Sequence, residues 1–322
     1  WPGTHGRLIT TTPKETNMKR RTFIRQMGAT GILLGSGLSP ALAFSDRPTT
    51  RLTILHTNDW HSRIEPFPED GGRNSGQGGV VRRARKIAQL RQENTNVLLL
   101  DSGDIFQGTP YFNLYEGELE FKLMSEMGYD AATIGNHDFD AGIEKLAQQM
   151  DQHANFSFIN CNYDLRNTPL NGKVLPHKIF RRGELKIGIL GVGIELDGLV
   201  PASLIGETQY EDPIAIANKT AKYLKEEEDC DLVICLSHLG YRYREEKVSD
   251  MILAAQSRNI DVILGGHTHT FLDEPTIVKN RNDQGVLVNQ VGWAGILLGR
   301  IDIEFEKRSG KRCFSCANEW LG

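Results

Sequence analysis

In the stretch Ala131-Ala132-Thr133-Ile134-Gly135-Asn136-His137-Asp138-Phe139-Asp140, a short apolar run stops at a glycine and gives way to Asn, His and Asp. A run this short and this apolar reads as a strand buried on both faces. The polar cluster then sits at the strand's carboxyl end. The same pattern recurs along the chain, with apolar runs at 52–56, 97–100, 156–159, 185–190, 232–236, 260–264, 286–291 and 296–305. Helical periodicity lies between several of them, at 80–93, 119–127, 143–150, 214–228 and 248–255. Strands alternating with helices predict an α/β layered architecture. The runs after residue 286 leave no room for helices and are expected to be antiparallel. The segment 70–79 carries five glycines and is expected to be a mobile loop.

Five strand exits carry chemistry. Asn58-Asp59-Trp60-His61 follows the first run and Asp101-Ser102-Gly103-Asp104 the second. Gly135 to Asp140 follows the third, Ser237-His238-Leu239-Gly240 the run at 232–236, and Gly265-Gly266-His267-Thr268-His269 the run at 260–264. In layered α/β folds the carboxyl ends of strands converge on one crevice. That crevice would gather Asp59, His61, Asp104, Asn136, His137, His238, His267 and His269. Burying so many carboxylates and imidazoles unpaired would cost several kcal/mol per charged group. Divalent cations offer compensation, and this donor set suits zinc, manganese or iron better than an all-oxygen calcium or magnesium cage. In an extended segment residues i and i+2 point the same way. Each of the pairs Asp59/His61 and His267/His269 can therefore reach one cation, or two adjacent ones. Asp101 and Asp138 lie inside the motifs and are read as supporting or solvated groups.

Taken in chain order, these blocks resemble the calcineurin-like metallophosphoesterase superfamily, with its D-x-H, G-D, G-N-H-[DE], lone His and G-H-x-H blocks. Leu55 to Asp59, Gly103 to Thr109, Gly135 to Asp140 and Gly266 to His269 resemble the bacterial 5'-nucleotidase family more narrowly. The resemblance implies a four-layer αββα sandwich of two mixed sheets flanked by helices. It implies a dinuclear centre in which Asp59, His61 and His269 hold the first cation, Asn136, His238 and His267 the second, and Asp104 bridges both. Asp140 would orient His137, and the two would form a catalytic dyad. The reaction implied is hydrolysis of a phosphate monoester, a nucleotide or similar small ester, by a metal-bound hydroxide. A phosphodiesterase for cyclic or sugar nucleotides and a thiosulfohydrolase share these motifs and stay open. A metal-binding protein without turnover is a further alternative, which the dyad opposes. Trp60, Phe106, Tyr111, Phe139 and Trp293 are stacking candidates near the cations, and Phe106, Phe139 and Trp293 are kept as weak substrate-binding candidates. Two-domain nucleotidases continue with a domain that clamps the base; this chain is expected to be a single catalytic domain over 44–322 without it.

The segment Met18-Lys19-Arg20-Arg21-Thr22-Phe23-Ile24, then an apolar stretch over 27–38 and Ala41-Leu42-Ala43, reads as a secretory signal. It is too short to span a membrane, which takes ~20 apolar residues. Arg20-Arg21 resembles a twin-arginine signal, so an exported, periplasmic protein cleaved after Ala43 is expected. Residues 1–17 read as an upstream or non-native extension. The 322 residues carry a net charge of −4, and no basic excess points to a nucleic-acid polymer. Five cysteines do not form a disulfide scaffold. Cys161, Cys230 and Cys235 read as small buried hydrophobes, and Cys313/Cys316 as an incidental surface pair. Oligomeric state is not readable from the sequence.

Overall fold

Alternation along the strand Thr50–Thr57 shows how the layers form. Leu52 and Ile54 enter one hydrophobic cluster while Leu55, on the other face, enters a second. The computed structural model describes residues 25–27, 49–306 and 311–322. Readings made for residues 1–17, and for all of 18–43 except the strand Arg25–Met27, lie outside them.

One sheet has the order Arg25–Met27, Lys311–Cys316, Leu297–Glu306, Thr50–Thr57, Val97–Asp101, Ala131–Ala132, Ser157–Ile159, Val174–Leu175, with Glu319–Trp320 also paired to Leu297–Glu306. From Thr50–Thr57 onward its strands are parallel, whereas Leu297–Glu306 is antiparallel to Thr50–Thr57. The second sheet has the order Thr276–Lys279, Gly285–Asn289, Val262–Gly265, Leu232–His238, Leu185–Gly193, His177–Arg182. Its four inner strands are parallel and its two edges antiparallel.

Three cores separate four layers. Leu52, Ile54, Leu98 and Leu100 of the first sheet meet Ile187, Ile189, Ile234 and Leu264 of the second. The outer face of the first sheet packs Leu55 and Leu99 on Ile87, Leu90, Phe121 and Leu146 of helices Val80–Glu93, Glu118–Met127 and Ile143–His153. The outer face of the second packs Val233, Cys235 and Ile263 on Ala217, Ala221, Leu224 and Leu253 of helices Pro213–Glu226 and Asp250–Gln256. This is the expected αββα sandwich of mixed sheets.

One expectation changes. Gly285–Asn289 is parallel to Val262–Gly265, because the intervening strand Thr276–Lys279 carries the chain back along the sheet edge before it returns. The far end of the glycine-rich loop is hydrogen-bonded, Phe67 N–H donating to Gln77 O at 2.9 Å and Gly78 N–H to Leu321 O at 2.6 Å, while residues 70–73 are exposed. Cys161, Cys230, Cys235 and Cys316 are free thiols, with Cys230 and Cys235 in the outer core.

Candidate metal centre

The parallel strands Thr50–Thr57, Val97–Asp101 and Ala131–Ala132 of one sheet and Leu232–His238 and Val262–Gly265 of the other end on a common crevice. Contacts between their exits cross from sheet to sheet. Ser102 Oγ donates to Leu264 O at 2.8 Å, and His267 N–H donates to Asp59 Oδ1 at 2.9 Å.

Two ligand-type triads result, Asp59/His61/His269 and Asp104/His238/His267, each with its candidate ligand atoms within 4.8 Å of one another. In the first, His269 Nε2 is 3.3 Å from Asp59 Oδ1 and 2.9 Å from His61 Nε2. In the second, His238 Nε2 is 3.1 Å from Asp104 Oδ2. Asn136 joins this group, its Oδ1 2.9 Å from His267 Nδ1. Asp104 Oδ2 also lies 3.8 Å from His61 Nε2, which places one carboxylate oxygen between the triads.

The donor set fits divalent cations. His238 Nε2 is fully buried and, despite its nearness to Asp104, is in hydrogen-bond alignment with no group among the described residues. A buried polar atom is normally satisfied. Here it lies within 4.8 Å of candidate ligand atoms of Asp104 and His267, and a cation among the three would complete it. The other ring nitrogen, Nδ1, is 2.6 Å from Ser102 O, an arrangement that fixes the tautomer of a ligating imidazole. Without a cation the cluster polarises itself. Burial opposes a charged His238 ring, but Asp104 and Asp59 outweigh it and lift its pKa to about 10. Burial lowers His267 to about 4, helped by the neighbouring His238 charge.

The backbone is bent to deliver these groups. Asp59, His61, Asp104, His267 and His269 all have positive φ, between 50° and 74°. Such left-handed residues cost about 1–3 kcal/mol each and cluster at functional sites. Asp59 N–H donates to Gly103 O at 2.9 Å, His61 N–H to Asp104 O at 3.0 Å, and Ala294 N–H to Asp59 O at 2.7 Å, which holds the loop in place. The i, i+2 argument from extended backbone therefore does not describe these pairs. Asp59 and His61 reach one triad through left-handed turns, and His267 and His269 divide between the two. Gly103 and Gly135 let the exits touch: a Cβ on Gly135 would lie 2.2 Å from Asp104 Oδ1.

Asp101 and Asp138 are buried, not solvated. Asp138 accepts backbone N–H bonds from Gly135 and Ile105 at 2.8 Å and from Asp104 and Phe106 at 3.1 Å. It clamps the Asp104 loop to the Asn136-His137 loop. Burial raises both carboxyls to about 7. Asn58, in a quoted motif but given no role, donates to Asp59 Oδ2 and to Gly292 O at 2.6 Å each and so aims the Asp59 carboxylate. Its partners Val291 and Gly292 lie 233 and 234 residues away in sequence, so no local signal marks it.

His137 stands beside the triads, its ring centroid 5.4 Å from that of His61. Its Nδ1 is 2.8 Å from Asp140 Oδ2. That hydrogen bond raises its pKa, against burial and with help from Asp104. Among the stacking candidates, Phe106 and Phe139 are fully buried: Phe106 packs on Phe121 and Phe139 near Tyr163, so neither shows a face to a substrate. Trp60 is buried under the Arg83 guanidinium. Trp293 is half-buried and stacks parallel on His269 at 5.4 Å. Tyr111 donates to Glu65 at 3.0 Å.

The calcineurin-like phosphoesterase family matches residues 52–271, a span that holds every candidate ligand and the His137–Asp140 pair. The snake venom 5'-nucleotidase of Gloydius brevicauda is 34% identical over 278 residues, covering 80% of this chain and 46% of the relative. The 5'-nucleotidase of Homo sapiens is 33% identical over 300 residues, covering 86% of this chain and 50% of the relative. The crystal structure of a 5'-nucleotidase precursor from Thermus thermophilus superposes with a TM-score of 0.77 at 30% identity, covering 84% of this chain and 55% of that one. The chain spans about half the length of the curated relatives it matches. No helix among the described residues is long and apolar enough to cross a membrane.

Proposed function

The chain belongs to the calcineurin-like phosphoesterase family, and on that premise we propose that it hydrolyses phosphate monoesters, nucleoside 5'-phosphates foremost, at a centre of two divalent cations. The observation that carries this reading is the placing of Asp104 Oδ2, 3.8 Å from His61 Nε2 and 3.1 Å from His238 Nε2. Asp59, His61 and His269 would hold one cation, Asn136, His238 and His267 the other, with Asp104 reaching both. Zinc, manganese and iron suit this set of imidazoles and oxygens. The chemistry such a pair supplies is to acidify water towards pKa ~7 and to draw charge from phosphoryl oxygens.

The chain's own groups supply the rest. His137, whose protonated form Asp140 favours, would donate to the phosphate or to the leaving oxygen. Asp140 fixes the ring's orientation, since its carboxylate occupies Nδ1 and leaves Nε2 for the substrate. Trp293 offers a partly open indole near the first triad for a substrate's base. The nucleotide preference is supported by the names of the relatives. The reading includes a single catalytic domain over 44–322 and export on a twin-arginine signal at 18–43, whose cleavage would remove the edge strand Arg25–Met27 and leave Lys311–Cys316 as that edge of the sheet. N-terminal sequencing of the exported protein should begin at Phe44; an intact Trp1 would overturn the export reading.

The activity is tested with purified protein loaded with manganese or zinc. Phosphate should be released from AMP and p-nitrophenyl phosphate faster than from cyclic nucleotides, UDP-sugars or bis-p-nitrophenyl phosphate. Turnover of the diesters alone would replace the monoesterase reading with the diesterase one. No turnover with two cations bound would overturn both.

A further inference from the structure

Behind the second triad lies a buried polar layer that the mechanism above does not use. Asp250 opens the helix Asp250–Gln256, capped by the Ser249 side chain, which accepts from Ile252 N–H. Asp250 is fully buried, and its backbone N–H donates to Gly240 O at 2.8 Å. Its Oδ1 accepts a hydrogen bond from Ser237 Oγ at 2.5 Å. Its Oδ2 has no hydrogen-bond partner among the described residues and is aimed at Gly265, where a Cβ would lie 2.0 Å away. Gln290 completes the layer: its Nε2 donates to Gly266 O at 2.7 Å, and its Oε1 accepts from Thr268 Oγ1 at 3.1 Å.

Ser237 directly precedes His238, and Gly265-Gly266 directly precedes His267. One carboxyl group thus sits against both strand exits that feed the second triad. We propose that Asp250 is a positioning residue for the second cation, setting the separation of the His238 and His267 exits through Ser237 and Gly265. The physical reason is tolerance. Cation–ligand distances hold to within about 0.2 Å, so a wedge that spaces two ligand-bearing backbones controls affinity without touching the cation. Groups that orient ligands in this way are typically worth about 10–100-fold in metal affinity. Asp250 makes no hydrogen bond to Asp59, His61 or His269 among the described residues, and the only hydrogen bond from the exits it spaces to the first triad is that of His267 N–H to Asp59, so the effect falls first on the second cation.

The inference rests on the dinuclear reading, and the experiment separates the two. Equilibrium dialysis against Mn²⁺ with elemental analysis should give two ions per wild-type chain. Asp250→Ala should keep one ion at wild-type affinity and bind the other about 10–100-fold more weakly. Asp250→Asn, which still offers an oxygen to Ser237, should recover most of that loss. Ser237→Ala should weaken the same ion, and it reads the contact even if Asp250→Ala does not fold by near-UV circular dichroism. Unchanged binding of both ions in folded Asp250→Ala or in Ser237→Ala would overturn this inference alone. So would equal weakening of both ions. A wild-type chain that takes up fewer than two ions would overturn the dinuclear reading and this inference with it.

Discussion

The backbone N–H of His137 donates to Asp104 Oδ1 at 2.8 Å, so the proposed dyad and the proposed shared ligand are joined by main chain and not by the imidazole ring. His137→Ala therefore deletes the ring and keeps the tie. Turnover of AMP should fall by about 10²–10⁴, the usual worth of a positioned acid or base, while elemental analysis still finds two cations. An unchanged rate would remove His137 from the reaction.

Asp104 is the residue whose loss should be felt at both cations. In the wild type, Mn²⁺ at 100 times the Kd of each site should add about 2.7 kcal/mol to stability per cation, read as a rise in Tm. In Asp104→Ala that rise should be lost or sharply reduced. A variant that still gains full thermal stability from Mn²⁺ would show that the two triads bind independently of the carboxylate between them.

Among the described residues Asp138 forms its side-chain hydrogen bonds to backbone N–H groups and not to a candidate ligand's side chain, yet it should matter to folding. Its carboxylate accepts the N–H groups of Gly135, Asp104, Ile105 and Phe106. Asp138→Ala leaves those donors buried, each costing about 1–3 kcal/mol if nothing replaces the bond. A loss on the order of 3–5 kcal/mol in urea unfolding under chelator is expected. Asp138→Asn keeps one acceptor oxygen and should lose less. A loss below about 1 kcal/mol for the alanine variant would mean that water takes over the four bonds.

His56 should make the fold acid-sensitive. The ring is fully buried against Gly299, with Nε2 2.9 Å from Asn289 Nδ2, and burial lowers its pKa from 6.5 to about 3. The unfolded chain therefore takes up a proton below pH 6.5 that the folded chain refuses until about pH 3. The neutral ring's contribution is fully present above pH 6.5 and is lost as pH falls through that window, by at most about 1.4 kcal/mol per pH unit. Urea unfolding between pH 7 and 4 should show a shallower pH slope for His56→Gln than for the wild type, whatever its absolute stability. Equal slopes would show that other groups set the acid limit.

Much of the site was legible before the fold was known, because its residues stand where apolar runs stop. The run at 260–264 announces a buried strand, and Gly265 to His269 then announces its exit. What failed was local geometry. The extended spacing invoked for Asp59 and His61 gives way to left-handed turns, which are fixed by bonds to Gly103, Asp104 and Ala294 from other parts of the chain. Phe106 and Phe139 were stacking candidates by proximity in sequence, and packing against Phe121 and Tyr163 removed them.

By itself the sequence determined the buried inner strands and which side chains stand at their ends, while the edge strands His177–Arg182, Thr276–Lys279 and Lys311–Cys316 carry no such apolar run. Apolar periodicity is a local record of burial, and each residue carries its own part of it. Only the tertiary structure decided that left-handed turns, not extended backbone, deliver Asp59, His61, His267 and His269, and that Asn58, Asp138 and Asp250 hold the loops in place. Those relations are contacts between the exits of different strands, some within one sheet and some across the two. Their energies come from atoms brought together by folding, and no short stretch of chain contains both partners.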